Sequence, residues 1–390
     1  MFYLIYYFSK KGMEKMQKTM KKCMSWILTL VMAVSMLAGI SSTFAVQTFA
    51  DDTVAVWDGT SDISWYNTTD TEFTLTTGAQ LSGMADIVNG KATGITADDF
   101  TGKTVKLGAD IYLNSDSDKT AHEWPTIGDR VLVSGDGTAG SVYENSDWCG
   151  TFDGQGHYIY NVYTNHLTDQ GEQKCLFSSN YGTIRNLGVT GDINSYRSAA
   201  GIVGNNYGII EYCCTSGDMT ANGGGGNGRG AAGIASANYG VIQYCWSNAN
   251  CYNGYRAAGG ITGYNLVDDG YTGRLIGCWF IGYADSSANE CKGAIAGDSD
   301  VGATVEDCYF LKNSSGKISK TSGDGSQYNG MSIGIGQYYS GSWDQTGTYE
   351  FDSTGALTSD STKTVTGILT SKSAAVVAGD SYYPVLYWQK

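Results

Sequence analysis

The sequence predicts an all-β protein: residues 51–390 read as a right-handed parallel β-helix, a solenoid, with an N-terminal cap containing one short helix. Three observations predict this. The tripeptide Asn-Tyr-Gly recurs at Asn180, Asn206 and Asn238. A strand of small and branched residues precedes each copy. Composition agrees, with 54 Gly, 28 Tyr, only 2 Pro and 16% charged residues, which suits short strands and tight turns better than solvated helices.

Residues 1–50 carry a different pattern. Lys18, Lys21 and Lys22 precede an apolar run from Trp26 to Ile40, and a small-residue stretch then ends at Thr48-Phe49-Ala50. That is the order of a secretory signal peptide, with cleavage expected after Ala50. The run is short for spanning a bilayer. A complete signal can begin at Met16 or Met20 as well as at Met1. Removing residues 1–50 takes away six Lys and one Glu, so the net charge moves from −14 to −19. Such a surface repels nucleic acid and anionic lipid. The expectation is a secreted, extracellular or cell-surface protein with no nucleic-acid partner and no membrane span after signal cleavage.

Residues 51–165 read as the N-terminal cap and first coils. Thr77 is placed to cap a helix from Ala79 to Val88, with Leu81, Met84, Ala85 and Val88 on one side. The helix is expected to cover the open end of the solenoid, which would otherwise expose strand edges and core. Loops are expected from Asn114 to Glu123 and from Gly135 to Asp147.

Residues 166–312 are the repeats. Each runs from a small-residue strand (Cys175 to Ser178, Ala200 to Gly204, Ala232 to Ser236, Gly259 to Gly263, Gly293 to Gly297) toward Leu187, Cys213, Cys245, Cys278 or Cys308. Those five positions are spaced by 26, 32, 33 and 30 residues. A unit of that size without helical periodicity is one turn of a β-solenoid, each strand pairing in parallel with its equivalent in the next turn. Equivalent residues then stack about 4.8 Å apart. Right-handed coiling follows from the preference of parallel crossovers. Asn180, Asn206 and Asn238 fall at a bend that needs either a side chain bonding its neighbour or a left-handed backbone. Insertions fall at Gly223 to Gly230 and Val267 to Thr272.

Residues 313–390 open with a polar stretch, Asn313 to Asn329. Strands are expected near Thr348 to Leu357, Thr364 to Leu369 and Val385 to Trp388. Sequence leaves open whether this segment completes the coil or lies along it.

Signal removal leaves nine cysteines. Cys213, Cys245, Cys278 and Cys308 form one column and are expected to stay unpaired, acting as small buried apolar groups, because stacked parallel neighbours are badly placed for a disulfide. The state of Cys149, Cys175, Cys214, Cys251 and Cys291 is left open. No CxxC occurs and the three His are scattered, so no metal site and no cofactor is expected.

The repeat unit, an Ala-Gly-Ile-Val-Gly-like strand, then Asn-Tyr-Gly-x-Ile, then a Cys-aromatic pair, resembles the GLUG-motif repeats of bacterial surface proteins. Gly150-Thr151-Phe152-Asp153-Gly154-Gln155-Gly156-His157-Tyr158-Ile159 is similar to the motif that opens such β-helices. Trp57-Asp58-Gly59 through Trp65-Tyr66, with Leu81 to Asn89 and Gly102 to Leu107, resembles their N-terminal cap, and Tyr383 to Trp388 resembles their closing strand. The repeats depart from the pattern from Leu266 onward. The resemblance implies a secreted or displayed, adhesin-like protein and no reaction.

The competing class on this architecture is a carbohydrate-active enzyme, a polysaccharide lyase or glycoside hydrolase. A hydrolase needs two carboxylates at fixed separation, but Asp268-Asp269 sits in an insertion before Gly270 and reads as a solvated loop. Arg197, Arg229, Arg256 and Arg274 are isolated in loops or bends. His157 reads as a turn residue beside Gly154 and Gly156. The Gly223 to Gly230 run lacks the Lys-Ser/Thr of a phosphate loop. No catalytic residue is assigned, and the chain is read as not an enzyme.

If the Cys column points inward, strand alternation turns Cys214, Trp246, Trp279 and Tyr309 outward. Trp246, Trp279 and Tyr309 then form an aromatic ladder. Either it is open and recognises extracellular glycans by stacking, or the C-terminal segment covers it as a second small core. The function expected is a secreted or cell-surface binding or structural protein, with extracellular glycans or host or cell-surface proteins as partners.

Overall fold

The computed structural model describes residues 55–134, 142–168, 173–222, 230–287, 291–314, 338–339, 342–343, 347–380 and 382–390. The signal-like segment 1–50, residues 223–229 of the Gly-rich run and all but the first two residues of the polar stretch 313–329 lie outside them.

The protein is all-β, with parallel sheets and two α-helices among the described residues. Three sheets carry the architecture, and the chain visits them in rotation. From Gln173–Asn180 it passes to Thr183–Arg185 and then Gly188–Ser195, each in a different sheet. The next turn repeats the circuit with Ser198–Asn206, Ile209–Glu211 and Cys214–Ala221, paired in parallel with the turn before. This is a parallel β-helix-like arrangement. The register also stacks Cys214, Trp246, Trp279 and Tyr309, so the Cys213, Cys245, Cys278 and Cys308 column lies in one file, as the spacing predicts.

Apolar columns fill the interior because like residues coincide at each turn. One column, aligned strand by strand, runs Phe73, Val105, Phe152, Ile184, Ile210, Ile242, Leu275, Val305. Ile202, Ile234, Ile261 and Ile295 form another buried set. Glycine in the repeat strands has a packing reason: a Cβ on Gly233 would lie 2.2 Å from Ser247 Oγ, and one on Gly260 would lie 2.2 Å from the Phe280 ring. Cys213, Cys245, Cys278 and Cys308 are buried free thiols, and Cys149, Cys175, Cys214 and Cys251 are free thiols too.

Asn180, Asn206, Asn238 and Asn265 take the hydrogen-bonding alternative at their bend. The first three donate Nδ2 to the next Oδ1 along the axis, at 2.8, 2.8 and 2.9 Å, and Asn265 Nδ2 donates to the Thr304 carbonyl oxygen at 3.2 Å. The left-handed backbone lies elsewhere, one residue before the Cys column, at Asn186, Tyr212, Tyr244, Gly277 and Asp307. Two of these are tyrosines, which rarely adopt positive φ.

Helix α1 spans Gly78–Val88, and the Thr77 side chain accepts from Gln80 N at its start. Leu81, Met84, Ala85, Ile87 and Val88 are buried in one core with Phe73 and Leu75 of the terminal strand. Part of the loop expected over 135–147 is instead the second strand, Val142–Asn145, of a hairpin with Arg130–Ser134. The 267–272 insertion is a small hairpin.

The expected strand at Thr364 to Leu369 is corrected. Thr364 ends a strand and caps helix α2, Val365–Lys372, accepting from Gly367 N. Val365 and Leu369, four residues apart, bury one side of that helix, and this spacing overrides the β preference of its branched residues. The closing strand is Pro384–Leu386, antiparallel to Val376–Ala378, and Tyr387–Gln389 is a 3₁₀ turn.

Candidate functional site

The outward column of the twelve-stranded sheet is continuous. Tyr158, Gly188, Cys214, Trp246, Trp279, Tyr309 and Tyr349 lie in register on successive turns. Residues 352–380 and 382–390 return along it. Leu357, Val365, Leu369, Val376 and Leu386 form a second core with Cys214, Trp279 and Tyr309.

Trp246, Trp279 and Tyr309 therefore form the expected ladder, and of the two alternatives the structure takes the one in which the C-terminal segment covers it, so Trp279 and Tyr309 are not open to a ligand. Trp279 is 0% exposed, Tyr309 1%, and Trp246 is half-buried. Two physical reasons apply. Large aromatic surface is stabilised by burial, here beneath the C-terminal segment. The ring faces are also engaged with each other: Trp246 and Trp279 stack with centroids 6.3 Å apart at 15°, and Tyr309 stacks on Tyr349. Rings repeated at coil spacing present edges, not faces, to the outside.

The far end of the covering segment is tied down by polar contacts. Gln389 Oε1 accepts from Trp246 Nε1, while its Nε2 donates to the Tyr158 hydroxyl at 2.7 Å and to Cys214 Sγ at 3.4 Å. Trp388 Nε1 donates to the Tyr212 carbonyl oxygen. Lys372 pairs with Asp307 at 2.5 Å, close to the carbonyl end of α2 that favours a cation.

Where this segment meets the left-handed bends it leaves an open cleft of about 410 Å³, lined by Arg185, Asn186, Glu211 and Tyr212 from the coils and by Ser373 to Ala375 and Tyr387 from the segment. Arg185 Nε bonds Asp153 at 2.9 Å, and its side chain is 41% exposed. Among the described residues its terminal nitrogens make no ion pair. Glu211 Oε2 accepts from Gln243. Burial alone would raise the Asp153 pKa, but hydrogen bonds from Asn186 and Gln155 N, with the Arg185 charge, hold it below the ordinary value. Tyr212 stacks on Tyr244, with centroids 5.7 Å apart at 7°. Tyr387 is 51% exposed.

The other candidate groups are dispersed. His157 bonds Asp110 at 3.0 Å, His166 bonds Glu123 at 2.7 Å, and His122 lies against Trp57. Asp268 and Asp269 sit in the exposed hairpin strand and turn, Asp269 N donating to Asp268. Arg274 lies 3.7 Å from Glu306. Burial pushes the Cys175 thiol up to about 12, and those of Cys214 and Cys251 also well up, away from nucleophilic thiolate. Among the described residues no three or more His, Cys, Asp or Glu gather to hold a metal ion, and no helix is long and apolar enough to cross a membrane.

Sequence reading missed the cleft. Its two walls are separated by more than 150 residues, and the only local signal was the pair of tyrosines directly before Cys213 and Cys245.

No protein-family model matches the chain, and no curated protein matches it. A solved structure from Bacteroides ovatus, described as a "putative immunoglobulin A1 protease", is similar in fold, with a TM-score of 0.52 and 19% identity over 82% of this chain and 93% of that one. At that identity the likeness concerns the fold alone.

Proposed function

We propose that the chain is a secreted or cell-surface binding and structural protein, adhesin-like, on a right-handed parallel β-helix of GLUG-like repeats. In this reading residues 1–50 are the signal peptide, 51–165 the N-terminal cap and first coils, 166–312 the repeats and 313–390 the C-terminal cap. Its partners are extracellular glycans or host or cell-surface proteins.

The observation that carries the reading is the Asn180–Asn206–Asn238–Asn265 amide ladder beside the buried Ile and Cys columns. The interior is given over to stacking turn on turn, which makes a stiff support with a long outer surface. The electrostatics favour binding over turnover. A glycosidase acid needs a raised pKa, whereas Asp153, the carboxylate paired with the cleft's Arg185, is held low, and the buried thiols of Cys175, Cys214 and Cys251 are pushed up.

The test begins with the protein expressed from its full precursor. Culture medium and cell-surface fractions are probed for it, and the exported protein is incubated with a glycan panel and with immunoglobulin A1. Export with retention of a ligand and no shortened product is expected. Retention of the protein inside the cell, or release of cut glycan or immunoglobulin fragments, overturns the reading.

A further inference from the structure

We propose that the cleft between Arg185, Asn186, Glu211, Tyr212 and Tyr387 is a binding site for a neutral saccharide. This deepens the binding-protein reading and rests on it. The cleft's volume of about 410 Å³ falls within the range of small-molecule sites, which runs from about 300 to 1,000 Å³.

The chemistry of the lining matches a sugar. A pyranose presents C–H groups on one face and hydroxyls at its rim. Tyr387, half exposed, and the partly buried Tyr212 ring, both lining the cleft, supply aromatic surface for the C–H face. The hydroxyl rim needs donors and acceptors set in rigid positions. Arg185 and Asn186 are fixed by their bonds to Asp153, and Glu211 by its bond from Gln243. Arg185 and Glu211 face each other in register on adjacent strands, so one hydroxyl-bearing ring can reach a donor and an acceptor together.

Charge decides the class of sugar. One guanidinium stands among two carboxylates, Asp153 and Glu211, so the site is net negative on a strongly acidic protein. An acidic sugar would meet like charge there, and a neutral one would not.

The exported protein is titrated calorimetrically with neutral oligosaccharides (maltotriose, mannotriose, N-acetyllactosamine) and acidic ones (trigalacturonate, 3′-sialyllactose). At least one neutral probe is expected to bind tenfold or more tighter than either acidic probe. Tyr387→Ala and Glu211→Ala each weaken that binding at least tenfold, while Tyr252→Ala, on a distant exposed tyrosine, leaves it within twofold. Circular dichroism establishes that each variant is folded, and Tyr387→Phe, which keeps the ring, restores binding. Preference for an acidic probe, binding unmoved by both cleft variants, or no binding of any probe overturns the cleft assignment. Cell-surface display and capture of protein ligands by the same preparation then judge the broader reading separately.

Discussion

Trp246 donates its indole N–H to the side-chain oxygen of Gln389, 143 residues further along the chain, over 2.9 Å. The same Gln389 amide donates to Tyr158, 231 residues earlier, so one side chain fastens the end of the polypeptide across several coils. Gln389→Ala leaves the Trp246 N–H without its acceptor and removes a donor to Tyr158. A loss of about 1–3 kcal/mol is expected for partly buried groups left unpaired. Denaturant unfolding measures it, and a red shift in tryptophan emission reports loosening over Trp246. An unchanged midpoint would show that the Gln389 contacts contribute nothing to holding the segment.

The amide ladder gives a second expectation. Asn206 donates to Asn238 and accepts from Asn180, both at 2.8 Å and both buried. Asn206→Leu therefore strands a donor on one neighbour and an acceptor on the other. Each orphaned group costs about 1–3 kcal/mol, so the variant should lose several times more stability than Asn250→Ala, on an exposed side chain of the same solenoid. Equal losses in thermal or urea unfolding would remove the ladder from the account of what stiffens the rod.

Much of this interior was legible in the sequence. The spacing of Cys213, Cys245, Cys278 and Cys308 encodes the turn length directly, because parallel register demands equivalent residues at equivalent places. Thr77 announced helix α1 by local capping chemistry. The covering of Trp279 was legible only as one of two alternatives, since Leu369 and Leu386 meet it through contacts that leave no local period. The cleft was not legible at all: Tyr212 and Tyr387 belong to segments whose meeting is decided by tertiary packing.

Thiol reactivity offers a third check. Burial pushes the Cys175, Cys214 and Cys251 thiols well above the ordinary value, so little thiolate is present near neutral pH. Native protein treated with iodoacetamide should keep these three unmodified for hours, and mild denaturant should expose them together. Mass spectrometry of tryptic peptides reads both states. Rapid native labelling of Cys214 would mean that the C-terminal segment lifts readily from the coils.

The fourth expectation concerns pH and Glu350, in the strand Thr348–Phe351. Glu350 pairs with Phe310 in register and is 4% exposed, and its Oε2 has no hydrogen-bond partner. Burial raises its pKa, tempered by Thr358 and by the charge on Lys312. A carboxyl whose folded pKa lies above its unfolded one binds its proton more tightly when folded. Its contribution is thus fully present below the ordinary carboxylate pKa and is lost as pH climbs through the raised value. At neutral pH the folded protein holds a carboxylate in surroundings that favour the neutral acid. Glu350→Gln should therefore raise the unfolding midpoint at pH 7 and narrow its advantage as the pH falls below the ordinary carboxylate range. A variant equally stable with wild type at both pH values would show that the Glu350 carboxylate reaches water or a cation once ionised.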